Sequence, residues 1–399
     1  MRIEILGYGV EGKSALKFLK KKYPKVDFEV RDVKKLGKNY LKDLDKFNLI
    51  VRSPGISYLR PEIQKARKQG IKITSATKLF FEHAKGKIIG ITGTKGKGTV
   101  ATMLYKILKA TGKNVYLAGN IGRPMLDILL KLQKNSITIL ELSSFQLQDL
   151  KRSPQIAVIL DISPDHLDYH KSFREYIDAK TNIARFQKKN HKVFYFPDNR
   201  YSKLIASRGR GKKIAILPNL NLILKIPGNH NIKNASMAAA VGRAFGAKDV
   251  INKTLSQFKG LPHRLEFLRE ARGIKYYNDS ASTNPAATVA AVKSFKEPKI
   301  LLMGGRSKGL NFKLLKQVLW RGNVRLAILF GKNRNEIAGD IKDSTRILKT
   351  RNLKSAFILT KKHSRKGDIV LLSPASASFD EFSGYRERGK YFKKLVRAL

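Results

Sequence analysis

Short apolar runs alternate with helix-like segments along most of the chain. The runs predict strands, because they are brief, rich in branched aliphatic residues and bounded by glycine or polar residues. Segments with apolar residues at helical spacing lie between them, most clearly over 12–19, 99–110 and 172–187. This alternation predicts an α/β fold built on parallel sheets. The predicted strands cover 2–6, 28–30, 49–51, 87–92, 137–142, 156–160, 193–196, 299–303, 326–330 and 369–372.

The length of the chain predicts more than one domain. At 399 residues it exceeds the size at which a single hydrophobic core keeps growing. Turn signals interrupt the pattern at Lys85-Gly86 and at Gly260-Leu261-Pro262. We therefore predict three domains, covering 1–86, 87–260 and 261–399, each of a usual domain size.

Composition narrows the class of protein. Hydrophobic residues make up 42% of the chain and charged residues 28%, a balance typical of folded globular proteins. Cysteine is absent, which excludes disulfides, thiol nucleophiles and cysteine metal sites and fits a reducing compartment. No run approaches about 20 apolar residues, and the first residues lack the apolar core of a signal peptide. We therefore expect a cytoplasmic protein that does not bind a membrane.

The net charge is +51, from 81 basic and 30 acidic residues. Such a charge is typical either of nucleic-acid-binding proteins or of a lysine-rich surface without a specific partner. Basic residues occur in nearly every block of ten, and the runs at 20–22, 208–213 and 361–366 are short and far apart. This even distribution favours the second interpretation. A basic nucleotide- or nucleic-acid-binding protein stays open as an alternative.

The strongest local signal is the run Gly93-Thr94-Lys95-Gly96-Lys97-Gly98-Thr99, between a predicted strand and a predicted helix. Glycines let backbone N–H groups approach a phosphate, and a helix N-terminus favours its negative charge. The Walker pattern G-x-x-x-x-G-K-[ST] is met only in part, since the leading glycine is out of register and Gly98 takes the hydroxyl position. We predict that Lys97 neutralises nucleotide phosphates and that Thr99 supplies the hydroxyl to Mg²⁺. The alternative is a plain glycine turn.

A second glycine-rich turn lies near the start of the chain. The run Gly7-Tyr8-Gly9-Val10-Glu11-Gly12 fits G-x-G-x-x-G between a predicted strand and a predicted helix, and Asp32 follows further on. Such a turn suits any nucleotide diphosphate at a helix N-terminus. A nucleotide-sugar site is therefore at least as good an interpretation as an NAD site.

Polar residues follow several other predicted strands. Glu141 ends one of them, where a carboxylate beside a phosphate loop is well placed to hold Mg²⁺. Each of the remaining segments is compatible with an ordinary turn or helix cap. Three of them, 278–284, 304–309 and 373–378, follow strands in the last predicted domain, which favours a site there. The segments are 161, 165–170, 230–234, 262–264, 278–284, 304–309 and 373–378.

Together these residues resemble the Mur ligase family. The most specific segments are 141–147 (ELSSFQL), 261–264 (LPHR), 278–284 and 371–380, and the likeness runs in collinear order from Gly7 to Phe392. The resemblance implies a Rossmann-like N-terminal domain for a UDP-sugar, a central P-loop ATPase domain and a Rossmann-like C-terminal domain for the amino acid. It also implies an ATP-dependent ligase that forms an acyl phosphate on UDP-N-acetylmuramoyl-L-alanine and joins D-glutamate to it in peptidoglycan biosynthesis.

For the catalytic centre, the resemblance implies Lys97, His166 and Lys180 as catalytic residues. Thr99 and Glu141 match one Mg²⁺ site, and His166 matches a second. Lys180 matches a lysine that CO₂ converts into a carbamate, which turns a cation into an anionic metal ligand of the kind that Mg²⁺ prefers. The expected cofactors are therefore ATP, Mg²⁺ and a carbamate on Lys180.

The other implied roles concern binding of the substrates. We expect the protein to be a monomer. The residues are, for ATP, Gly93, Thr94, Lys95, Gly96, Lys97, Gly98, Thr99, Asn231, Asn234, Arg264 and Asp279; for the UDP-sugar, Gly9, Val10, Lys34, Asn120, Ser143 and Gln146; and for D-glutamate, Thr283, Lys308, Ser378 and Tyr385.

The chain departs from the family pattern at several of these positions. Gly98 replaces a hydroxyl residue, Ala281 stands where lysine is frequent, and Arg306 stands where aspartate is common. The changes bear on the acceptor geometry rather than on the ligase class. Another Mur-family or folylpolyglutamate-type ligase, with a different acceptor, stays open as an alternative. Smaller departures are Lys95 for asparagine, Ser376 for cysteine and Tyr385 for phenylalanine.

Overall fold

The computed structural model describes residues 1–167, 169–307 and 309–399, and it divides into two compact units. The first unit comprises Met1–Leu222 and Ile232–Leu255, and the second comprises Ile223–Asn231 and Ser256–Leu399. The predicted boundary at 86 falls inside the first unit, between two sheets, and the boundary at 260 falls just inside the second. The three-domain division therefore stays a prediction.

The first sheet lies at the start of the first unit and has the strand order β2-β1-β3-β4, with every described pair parallel. Its centre is apolar, with Ile3, Ile5 and Ile50 fully buried. The strands are Arg2–Leu6 (β1), Asp27–Arg31 (β2), Leu49–Arg52 (β3) and Lys72–Thr74 (β4), and the helices are Val10–Lys22 (α1), Val33–Leu36 (α2), Pro61–Lys68 (α3) and Ala76–His83 (α4).

The second sheet has the order β10-β9-β8-β5-β7-β6, and its described pairs are again all parallel. Its strands are Lys87–Thr92 (β5), Val115–Gly119 (β6), Ile137–Glu141 (β7), Ile156–Ile159 (β8), Lys192–Tyr195 (β9) and Lys212–Ala215 (β10). The helices from here to the end of the first unit are Lys97–Lys109 (α5), Met125–Ile128 (α6), Ser144–Leu147 (α7), Phe173–Arg185 (α8), Arg200–Ser207 (α9), Asn229–Ala244 (α10) and Ile251–Ser256 (α11).

The third sheet forms the centre of the second unit and has the order β11-β12-β16-β13-β14-β15. It is mixed rather than purely parallel, because β11 runs antiparallel to β12. Its strands are Glu266–Ala271 (β11), Ile274–Asn278 (β12), Lys299–Gly304 (β13), Val324–Phe330 (β14), Arg346–Lys349 (β15) and Ile369–Leu372 (β16). Its helices are Pro285–Lys293 (α12), Lys313–Arg321 (α13), Arg334–Asp340 (α14), Leu353–His363 (α15) and Tyr385–Arg397 (α16).

The apolar pattern predicted every interior strand except β12, and it missed five strands at sheet edges. Interior strands such as β13 and β16 are buried along their whole length, as expected for strands covered on both faces. The missed edge strands are β4, β6, β10, β11 and β15. All of them except β6 are short or carry charged residues. No helix in the described residues is long and apolar enough to span a bilayer.

A buried ion pair connects the first sheet to the second. Arg52, at the end of β3, is 1% exposed, and its Nη2 lies 2.8 Å from Oδ1 of Asp149, which follows α7. Lys78 of α4 approaches the other carboxylate oxygen, with its Nζ 2.5 Å from Oδ2. A buried charge that loses its partner is costly because neither water nor an opposite charge then solvates it.

We expect Asp149→Ala to lower the free energy of unfolding by about 3–5 kcal/mol, because it leaves the Arg52 guanidinium buried and uncompensated. The matched control is Glu62→Ala, which removes the exposed pair of Arg60 and Glu62 and should cost less than about 1 kcal/mol. Urea unfolding followed by circular dichroism measures both. Equal losses of unfolding free energy in the two variants would contradict a stabilising role for the buried ion pair.

Candidate active site

The glycine-rich loop follows β5, in the middle of the second sheet. Gly96 adopts φ +82°, which favours glycine, and α5 begins at Lys97 with no side-chain cap on its first N–H groups. A Cβ on Gly96 would lie 2.5 Å from Oδ1 of Asn234, and one on Gly93 would lie 2.7 Å from Cβ of Leu160. The loop is therefore held close to its neighbours, with an uncapped helix N-terminus where a phosphate can bind.

Two lysines converge on this loop. The Lys97 Nζ donates to the carbonyl oxygens of Gly93 and Thr94, both at 3.0 Å. Lys180, in α8, is 1% exposed, and its Nζ donates to Gly93 O at 3.0 Å and to Thr92 Oγ1 at 3.2 Å. Both predicted catalytic lysines therefore donate to the same carbonyl oxygen, that of Gly93, directly after β5.

The environment of Lys180 favours the neutral amine. Burial desolvates the ammonium and the Lys97 charge repels it, so the pKa of Lys180 lies well below the usual lysine value. Asp165 and Glu141 act in the opposite direction without reversing the shift. The amine also lies over the ring of Tyr176, 4.7 Å from its centroid.

Thr94 connects the loop to two further segments. Its Oγ1 lies 3.0 Å from the hydroxyl of Tyr176 and accepts a hydrogen bond from the N–H of Ser163 at 2.9 Å. Its N–H donates to Asp161 O at 2.8 Å. Sequence reasoning missed Tyr176, although its position one helical turn before Lys180 places both side chains on one face of α8.

The predicted metal residues lie at the carboxyl ends of adjacent strands. Glu141 ends β7, next to β5 in the sheet, and Thr99 lies in the first turn of α5. His166 lies beyond β8 in a left-handed conformation, with its ring 4.9 Å from that of Phe145 and 3.6 Å from Oδ2 of Asp165.

The donors in this region fit Mg²⁺ by their chemistry. No group of three His, Asp or Glu side chains that could hold a metal ion occurs among the described residues. The predicted set relies instead on the Thr99 hydroxyl, the Glu141 carboxylate and a modified Lys180, all oxygen donors. The lowered pKa of the buried Lys180 amine supports that set, because only the neutral amine can become a carbamate.

The N-terminal glycine turn is held together by Asp32. One oxygen of its carboxylate accepts the N–H of Tyr8 at 2.7 Å and the other accepts the N–H of Lys34 at 2.9 Å, which lowers the pKa of Asp32. Gly9 precedes α1, and Val10, its first residue, is 71% exposed. The predicted residues Gly9, Val10 and Lys34 therefore surround one turn.

Gln146 connects this turn to the second sheet. Its Oε1 accepts the N–H of Ser143 at 2.9 Å within a capping box at the start of α7, which leaves its Nε2 to donate elsewhere. That Nε2 donates to Oε1 of Glu11 at 2.6 Å. Asn120 lies nearby in the fold, with its N–H donating to the backbone oxygen of Glu141 at 3.1 Å.

The predicted adenine-side residues lie at the start of α10. Asn234 contacts the glycine-rich loop of the first unit, as described above, whereas Asn231 belongs to the second unit and donates to Pro227 O at 2.6 Å. Lys233, which sequence reasoning missed, lies 2.8 Å from carboxylate oxygens of both Asp161 and Asp198. The ion pairs hold the start of this helix against the ends of β8 and β9.

In the second unit, Arg388 joins the loops that follow three neighbouring strands. This side chain is fully buried, and it donates to Ser280 Oγ and O, to Ser376 O at 3.0 Å, and to Gly304 O at 3.3 Å. Burial lowers the pKa of Arg388 to about 10, so it stays charged at neutral pH. Sequence reasoning missed it, because an arginine in a basic helix gives no signal of burial.

The predicted residues of the second unit lie around these loops. Asp279 is buried, with its Oδ2 accepting the Ser373 hydroxyl at 2.8 Å, and burial raises its pKa to about 6. Arg264 is exposed, Thr283 is half-buried and Ser378 is buried. Tyr385 begins α16 and accepts the Ser280 hydroxyl through its backbone oxygen. Lys308 lies outside the described residues.

Comparison with known proteins gives the family. Residues 91–219 match the Mur ligase middle domain, and residues 263–376 match the Mur ligase glutamate ligase domain. A UDP-N-acetylmuramoylalanine–D-glutamate ligase from Acetivibrio thermocellus is 35% identical, with 93% of this chain and 87% of that protein aligned. This chain belongs to the Mur ligase family. A ligase of the same description from Clostridium botulinum is 33% identical over 100% of this chain and 97% of its own.

Solved Mur ligases share the fold of this Mur ligase at low sequence identity. A UDP-N-acetylmuramate-alanine ligase from Thermotoga maritima gives a TM-score of 0.61 at 18% identity, covering 100% of this chain and 99% of its own. A MurF ligase from the same organism, solved with ADP, gives 0.63 at 17% identity, covering 100% and 95%. The predicted α/β Mur ligase fold is confirmed.

The Arg388 network leads to a test of how this Mur ligase holds its second unit together. We expect Arg388→Met to lower the free energy of unfolding by about 3 kcal/mol or more, because each buried acceptor left without a donor costs about 1–3 kcal/mol. Lys390→Met, on the exposed side of the same helix, is the control and should stay within about 0.5 kcal/mol. Chemical denaturation of both measures the difference, and an unchanged Arg388→Met would refute the role.

Proposed function

We propose that this Mur ligase joins D-glutamate to UDP-N-acetylmuramoyl-L-alanine at the expense of ATP, as a cytoplasmic step of peptidoglycan biosynthesis. The observation that carries the proposal is the 33–35% identity, over nearly the whole chain, to ligases named for this reaction. The convergence of Lys97 and Lys180 on the loop after β5 supports phosphoryl transfer as the chemistry.

The reaction has two steps, because a free carboxylate is a poor electrophile. The γ-phosphoryl group of ATP passes to the terminal alanine carboxylate, giving ADP and an acyl phosphate. The amine of D-glutamate, having lost a proton, then attacks the acyl carbon, and phosphate leaves from the tetrahedral intermediate as the amide forms. Such chemistry depends mainly on positioning and on neutralising charge.

The side chains at the loop provide that neutralisation. Lys97 is bound to two backbone carbonyls of the loop, so its charge is held where a nucleotide phosphate would meet the start of α5. Glu141 and Thr99 would hold Mg²⁺, with His166 near a second ion. Mg²⁺ bound there would spread the negative charge of the phosphates.

Lys180 contributes as a carbamate in this proposal. The neutral amine attacks CO₂: a new N–C bond forms, one C=O π pair moves onto oxygen, and the nitrogen loses a proton to solvent, which gives an anionic carbamate. The lowered pKa of Lys180 favours this step, because it increases the share of the neutral amine. The modified side chain offers oxygen ligands in place of an ammonium that would repel a metal ion.

The three loops joined by Arg388 form the proposed acceptor site. Thr283 and Ser378 present hydroxyl groups there, and Tyr385 begins the helix that carries Arg388. Lys308 would add a positive charge for one carboxylate of D-glutamate. The predicted domains 1–86, 87–260 and 261–399 would then bind UDP-sugar, ATP and amino acid respectively.

The function is tested by product formation with UDP-N-acetylmuramoyl-L-alanine, ATP and one amino acid at a time. We expect phosphate release and amide formation with D-glutamate, and little with L-glutamate, D-aspartate, L-lysine or meso-diaminopimelate. Lys97→Ala should abolish turnover without unfolding the protein, which confirms that the signal comes from this site. Preference for another acceptor would overturn the substrate assignment, and no phosphate release with any would overturn the ligase assignment.

We expect Lys180→Ala to be nearly inactive, because it removes the proposed carbamate, and formate or acetate to restore part of the rate by filling the vacated site. Arg174→Ala, an exposed change on the same helix, is the control and should keep full activity. The second readout is a ¹³C-carbamate signal in protein equilibrated with ¹³C-bicarbonate. Full activity of Lys180→Ala, or its inactivity with an unchanged ¹³C signal, would refute the carbamate.

A further inference from the structure

A cleft of about 760 Å³ lies in the second unit, at the carboxyl ends of β14 and β15. Its volume is within the range of small-molecule sites in proteins. None of the predicted substrate residues lines it. Basic residues come from both loops, Lys332 and Arg334 after β14, and Lys349 and Arg351 at and after the end of β15. Four positive charges on two separate loops therefore meet in one concave site.

These four cations have no acidic partner among the described residues. None of them lies within 4.0 Å of a carboxylate, although ion pairs occur at many other places in the chain. Arg334 and Lys349 bond instead to neutral oxygens, with Arg334 Nη1 donating to Gly331 O at 2.9 Å and Lys349 Nζ to Asn335 Oδ1 at 3.2 Å. Their full charges are thus available to a ligand.

Two carboxylates in the lining do not neutralise the cleft. Asp380 accepts the N–H of Lys332 at 3.1 Å, and Glu381 accepts the N–H of Leu353 at 3.1 Å. Both also face the buried guanidinium of Arg388, whose positive charge they stabilise. Their negative charge is engaged by backbone N–H groups and by Arg388, so the field in the cleft stays positive.

The close packing of the floor fixes the two loops relative to each other. A Cβ on Gly331 would lie 2.9 Å from Gly305 N and would also overlap the carboxylate of Asp380, and the N–H of Gly331 donates to Arg351 O at 3.2 Å. Since Gly331 precedes Lys332 directly, this bond holds the first loop against the second. The cations are therefore held on a preorganised frame.

We propose that this cleft binds a small molecule bearing two linked phosphate groups. Two arginines offer planar forks that match phosphate oxygens, and two lysines add point charges beside them. A single small anion would leave most of the cleft unfilled, whereas a diphosphate offers one phosphate group to the cations of each loop. Each phosphate also carries more negative charge than a carboxylate. This charge matches the four cations of the cleft, since Asp380 and Glu381 are already bound to other groups.

The test is calorimetric titration with sodium pyrophosphate at physiological ionic strength, where diffuse surface attraction is screened. The chain is first saturated with ADP and UDP-N-acetylmuramoyl-L-alanine in magnesium-free buffer, so that the proposed substrate sites are filled. We expect one further pyrophosphate per chain. Citrate, of similar charge, should bind more weakly, and tighter citrate binding would overturn the phosphate assignment.

Charge-reversal variants locate the site. Lys332→Glu with Lys349→Glu should weaken pyrophosphate binding at least about tenfold, equivalent to about 1.4 kcal/mol. Lys316→Glu with Lys342→Glu, two exposed lysines of the same unit outside the cleft, changes the net charge equally and should alter affinity less than about twofold. Equal losses in both pairs, or no residual site in the parent, would overturn the proposal. If the cleft variant fails to fold, Arg351→Gln replaces it. This single change should weaken pyrophosphate binding at least about threefold, because it removes one charge rather than reversing two.

Discussion

The burial of Lys180 against the phosphate loop is the constraint on which the rest of the site depends. An ammonium removed from water and placed beside a second cation is destabilised, and the pKa of Lys180 is lowered as a result. The hydrogen bonds to Thr92 and Gly93 remain, because an amine still donates. The same burial that holds the loop in place therefore also makes the nitrogen nucleophilic.

The second unit also contains a buried basic side chain, but this one keeps its charge. Arg388 is as deeply buried as Lys180, and it likewise donates to oxygens at the carboxyl ends of parallel strands. It keeps its charge, because a guanidinium is hard to deprotonate and because Asp279, Asp380 and Glu381 stabilise it. Burial of Lys180 thus makes its nitrogen more nucleophilic, whereas buried Arg388 fixes the loops around it. Arg52 and Lys299 are buried to the same degree, so burial alone does not set these two cations apart from the rest.

Sequence reasoning succeeded where a physical signal is local. The glycine-rich loop after β5 and the interior strands follow from short spacings and apolar runs, so both were predictable. Tyr176, Lys233 and Arg388 were not, because their roles arise from partners distant in sequence, such as Thr94 and Ser280. Lys180 was found only through resemblance, since a lysine in a helix is usually solvated. The Asp32 contact illustrates the same limit: its position after the G-x-G-x-x-G run gave no sign that its oxygens accept backbone N–H groups of the turn.

The edge strands have a consequence for how this chain behaves at high concentration. An open sheet edge offers unpaired N–H and C=O groups to which another chain can add a strand, and lysine at the edge opposes that addition. The edge strand β10 begins with Lys212 and Lys213, and β15 begins with Arg346 and ends with Lys349. The residues that hid these strands from the apolar pattern thus protect them from edge-to-edge aggregation. Part of the large positive charge therefore acts as a barrier to self-association, independently of any ligand.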